Sequence, residues 1–60
     1  MIQVKLFDYE HEKDLEEDVN HFLSKIEENT LVDIKYHVAV ASEEDDEQIY
    51  CFSAMVMYRK

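Results

Sequence analysis

The residues able to do chemistry in this chain are few and scattered. His11-Glu12 begins like the helix of a zinc protease, but position 15, where the second histidine would close on the same metal, is Leu15. His11, His21 and His37 have no ligand spacing, and the single Cys51 has no CxxC partner. Five consecutive carboxylates, Glu43 to Glu47, lack the alternating oxygen ligands and the turn glycine of an EF-hand loop. Ser24 and Ser53 have no triad setting. Cys51 falls inside a strand pattern with no adjacent base, so an inert buried thiol is expected. Glu17 and His21, four apart on a helix, are expected to pair at the surface. The four tyrosines and three phenylalanines are expected in a core or an interface rather than stacked on a flat cofactor. The chemistry therefore reads as a non-enzyme: no catalytic residues, no cofactor and no metal.

Composition narrows the classes further. The chain has 60 residues, no glycine, no proline, one cysteine and a net charge of −9. It reads as one domain, residues 1–60, whose folding buries only about 60% of the unfolded chain's surface. Hydrophobic residues at 47% are too many for a disordered acidic tail. Without glycine there is no phosphate-cradling loop. A pI near 4.5 argues against nucleic acid and against anionic membrane surfaces, which are gripped by Lys and Arg. No apolar run approaches the roughly 20 residues of a membrane span, and no signal peptide opens the chain, so a cytoplasmic location is expected.

The elements that would position these residues follow from periodicity. Ile2–Phe7 alternates and predicts a strand. Asp8 is a candidate N-cap, and Leu15, Val19, Phe22, Leu23 and Ile26 form one apolar stripe, which predicts a helix over about residues 8–28. Asn29 is the best residue for a left-handed C-cap in a chain without glycine. Leu31–Ala41 and Gln48–Tyr58 alternate again and predict two strands around a polar turn, Ser42–Glu47. The order β-α-β-β predicts an α+β fold, one helix on a three-stranded sheet. The first and second strands run in the same direction, and the uncharged third returns antiparallel between them, giving order 1-3-2 ahead of 1-2-3.

The hairpin register stays open, because a one-residue slip exchanges the faces of the third strand. One helix covers one face of such a sheet. The other face exposes either Tyr50, Phe52 and Tyr58, or Ile49, Met55 and Met57, with Phe7 or Leu31 nearby. Phe7, Tyr50, Phe52, Met55, Met57 and Tyr58 are thus candidate interface residues, and a homo-oligomer, a dimer or larger, is expected. The charge is uneven: residues 8–29 carry −7, residues 43–47 carry −5, and the remainder +3. An acidic helix and hairpin tip are solubilising, and they also suit a basic protein partner, as in an acidic inhibitor.

The segments I2-Q-V-K-L-F-D8, H11-E-K-D-L-E-E-D-V-N20, V32-D-I-K-Y-H-V-A-V40 and Q48-I-Y-C-F-S-A-M-V-M-Y-R59 resemble the small sporulation proteins of Bacillus and its relatives. The resemblance spans essentially the whole chain, and Q-I-Y-C-F-S-A is its most specific part. It implies a cytosolic protein of the mother-cell programme of endospore formation. That family has no established activity or catalytic residues, so none is carried over. In architecture alone the element order is similar to that of dodecins, flavin-storing shells, which implies an oligomeric small-ligand carrier. Flavin stacking there relies on tryptophan, and this chain has none.

Overall fold

A computed structural model describes residues 1–42 and 48–60. Strand β1 spans Ile2–Tyr9, helix α1 Glu12–Leu23, a 3-10 turn Glu28–Thr30, strand β2 Leu31–Ser42 and strand β3 Gln48–Arg59. The sheet order is β1-β3-β2 with both pairings antiparallel, so the α+β fold and the central third strand hold as expected. Expectations placed on the acidic run 43–47 lie outside the described residues. Among the described residues no helix is long and apolar enough to cross a membrane.

Three local expectations are corrected. Asp8 does not cap the helix. It stays in β1, opposite Ser53, and Tyr9 pairs with Phe52 beyond it. Ladder pairing here prevails over the local cap, and the helix starts later, from an extended His11 with no side-chain cap. Tyr9 then ties the strand end to α1: its hydroxyl donates to Asp18 Oδ2 at 2.6 Å. That hydrogen bond, with partial desolvation and the Asp18 charge, raises the Tyr9 pKa above the ordinary phenol value.

The helix also ends early. Ser24, still right-handed, donates its N–H to Asn20 and its hydroxyl to the His21 carbonyl at 2.6 Å. Lys25 and Ile26 N–H groups take the next carbonyls, those of Phe22 and Leu23. The last carbonyls are satisfied without a left-handed residue, so Asn29 is no cap and lies in the 3-10 turn. The helix has 12 residues rather than about twenty, and the sheet outruns it at one end.

Register decides the faces. Phe7 lies opposite Ala54, Ile34 opposite Val56, Tyr36 opposite Ala54, and Val38 opposite Phe52. These residues share the helix side. A bulge between Leu31 and Asp33 inserts an extra residue and turns Ile34, Tyr36, Val38 and Val40 to that side. The core between α1 and the sheet is Phe7, Leu15, Ala54 and Val56, with Val19, Phe22, Leu23 and Phe52 packed around it. Phe22 sets its ring edge-on to both Phe7, at 5.9 Å, and Tyr58, at 5.1 Å.

Candidate functional site

The helix leaves two apolar surfaces uncovered. On the side without a helix, β1 presents Ile2, Val4 and Leu6, exposed by 59%, 52% and 70%. Register places Met57 beside Val4 and Met55 beside Leu6. Asp33 and Lys35 flank these methionines from β2 and pair with each other at 3.7 Å. Among the described strand residues, Asp8 and Asp33 share this face with Lys35 and Arg59.

The expected interface residues divide between the two faces. Met55 and Met57 stand on the open face, with Ile49 further along the same strand. Phe7, Phe52 and Tyr58 lie on the helix side, and Phe7 is a core residue at 5% exposure. Tyr50 is also on the helix side but beyond the helix, where it stacks on Phe52 at 6.1 Å. Ile2, Val4 and Leu6 were not singled out from sequence as interface residues. Alternation groups them on one face but does not say whether the helix covers it.

A polar row crosses the open face: Asp8, Ser53 and His37 stand directly opposite one another on β1, β3 and β2. The residues of an acid–base relay are present, but in the wrong order. Such a relay needs the imidazole between carboxylate and hydroxyl, and here the hydroxyl is in the middle. Cys51 is half-buried on this face rather than inert in the core, and its thiol donates to Asp8 Oδ1 at 2.6 Å. That bond is the main cause raising the thiol pKa, helped by desolvation and the carboxylate charge and opposed by Ser53. The raised pKa keeps the sulfur protonated, the reverse of an activated nucleophile.

A prediction follows with a definite sign. At pH near the ordinary thiol value of about 8.5, Cys51 carries less thiolate than a free cysteine and is alkylated more slowly by iodoacetamide. Asp8→Asn removes the charge and lowers the pKa, so alkylation accelerates. An Asp8→Asn rate equal to that of the parent would show that the carboxylate does not control the thiol.

The other uncovered surface lies on the helix side. Helix α1 packs on β1 and β3, and every residue from Leu31 to Ala41 of β2 is exposed. Between α1 and β2 runs a groove of about 410 Å³ with Leu15, Val19, Ile34 and Tyr36 in its walls. Glu12 and Glu16 stand along its helical rim. Glu17 and His21 do not form the expected ion pair; the pairs among the described residues are Lys13–Glu16, at 3.8 Å, and Lys35–Asp33. Both are exposed and contribute little to stability. Among the described residues no three His, Cys, Asp or Glu side chains gather in a metal-binding group.

Comparison with known proteins adds biological context to this geometry. A family model described as Sporulation protein Cse60 matches residues 1–60. Sporulation protein cse60 of Bacillus subtilis (strain 168) is 55% identical over 60 residues, covering all of both chains. No solved structure matches.

Proposed function

The chain belongs to the Cse60 family of sporulation proteins, and we propose that it serves sporulation without catalysis, by associating with a second copy through its open sheet face. One observation carries the reading: Ile2, Val4 and Leu6 stand more than half exposed on the side that no helix covers, with Met55 and Met57 beside them. An apolar strip of that kind marks an interface more often than free surface.

Size and charge support it. The chain exposes 4975 Å², against roughly 4100 Å² for a compact monomer of this mass. Its extents are 46 × 19 × 10 Å, the shape of a slab rather than a sphere. A stable interface takes about 800 Å² from each partner, and the broad face is the side of this slab that can supply it. Two such sheets stack about 10 Å apart with strands nearly aligned. Lys35 and Arg59 offset Asp8 and Asp33 on this face, which eases the meeting of like surfaces despite the net charge of −9. The misordered Asp8–Ser53–His37 row and the protonated Cys51 favour binding over catalysis.

Native mass spectrometry, together with melting curves over a concentration series, tests this. A dimer or larger species is expected at micromolar concentration, with a melting temperature that rises with concentration. A 7.2 kDa monomer with concentration-independent melting would sink the proposal.

A further inference from the structure

We propose that the groove between α1 and β2 receives an amphipathic helix of a different protein, apolar on one side and rich in lysine or arginine along its flank. This interaction is separate from the open face and does not depend on self-association.

The geometry asks for a helix. A helix with its side chains is about 10 Å wide, and strands lie about 4.8 Å apart. Helix α1 sits over β1 and β3, so the strip above β2 and its border with β3 has room for one more helix beside it. The strip is apolar and already formed. Ile34, Tyr36, Val38 and Val40 stand on it, exposed by 40%, 59%, 39% and 55%. Their spacing along the strand provides a row of side chains into which the apolar ridge of a helix can pack. Tyr36 is the large aromatic at the groove and the natural anchor.

Charge specifies the occupant. Glu12 and Glu16 stand one turn apart on the rim that faces the groove. Lys13 shares the rim but is drawn to Glu16 at 3.8 Å, and the rim remains net negative. Over α1 as a whole five acids face one lysine. Among the described residues the α-helix that a second copy could offer is its own α1. It has this same composition. It would place acid against acid, which costs binding. A basic helix gains from the same field, both on approach and when docked.

The test uses the absence of tryptophan from this chain. A synthetic peptide of about four helical turns carries leucines and one tryptophan on its apolar face and lysines on its flanks. A control peptide has glutamates in place of the lysines. The expected result is a blue-shifted tryptophan emission on binding, with the lysine peptide at least tenfold tighter and weakened by salt. Glu12→Lys/Glu16→Lys and, separately, Tyr36→Ala each weaken binding at least tenfold. All three positions are exposed, so both variants keep the circular dichroism of the parent. Leu6→Glu, on the opposite face, leaves peptide affinity unchanged.

Equal affinity for the two peptides, no blue shift with either, or parental affinity in the groove variants would overturn the proposal. So would a change in oligomer mass in Glu12→Lys/Glu16→Lys, because it would make the groove a self-interface.

Discussion

Phe7→Ala is expected to unfold most of the protein, while Leu6→Ala, one residue earlier, leaves the fold intact. The two residues point to opposite faces of the same strand. Phe7 is 5% exposed, beneath Leu15 and Phe22 and beside Ala54; Leu6 is 70% exposed. Truncating a buried phenylalanine costs about 3–5 kcal/mol. A domain of this length has only about 3–9 kcal/mol of total stability. Among the described residues the buried core has four members, Phe7, Leu15, Ala54 and Val56, so little remains to compensate. Circular dichroism melts at sub-micromolar concentration, where association contributes least, are the measurement. If Leu6→Ala proved the more damaging of the two, the assignment of faces would be inverted.

The second large effect concerns association. Val4→Glu/Leu6→Glu is expected to abolish the oligomer and preserve the monomer fold. Both side chains are more than half exposed, so the variant buries no charge within its own chain. In a face-to-face dimer it would bury two carboxylates per copy, against the same two from the partner. Each uncompensated buried charge costs several kcal/mol, and about 1.4 kcal/mol is already tenfold in affinity. At least a hundredfold weaker association follows. Sedimentation should give the monomer mass at concentrations where the parent is a dimer, and melting should no longer depend on concentration. A variant that sediments like its parent would move the interface elsewhere. Peptide binding at the α1/β2 groove should survive this change, so failure at one surface is separable from failure at the other.

The sheet was legible in the sequence because alternation over eight to twelve residues is a strong local signal. The central place of β3 was legible too, since residues 49–58 contain no charge while the other strands carry lysines. The family was also readable, from segments that run through the whole chain, and the match over residues 1–60 agrees. The helix was read too long at both ends. Asp8 and Asn29 are good capping residues, but a cap is one hydrogen bond, and at Asp8 a strand ladder competed for the same backbone.

The candidate site was harder to read. Composition placed both Phe7 and Met55 among apolar candidates, and nothing local separates a residue under the helix from one on the open face. The separation depends on the pairing of Phe7 with Ala54 and of Leu6 with Met55, contacts between residues more than forty positions apart. The Asp8–Ser53–His37 row and the Cys51–Asp8 hydrogen bond depend on the same long-range register.

By itself, then, the sequence determined the element order, the sheet order, the acidity of the helix and the family. These rest on periodicity, on where charge is tolerated, and on similarity along the chain. The tertiary structure decided which side of each strand meets α1 and how short that helix is. It also decided that β2 would be left bare beside an acidic rim. The physical reason is the period of two in a strand: a shift of one residue in register exchanges core and surface, and only the assembled sheet selects the shift.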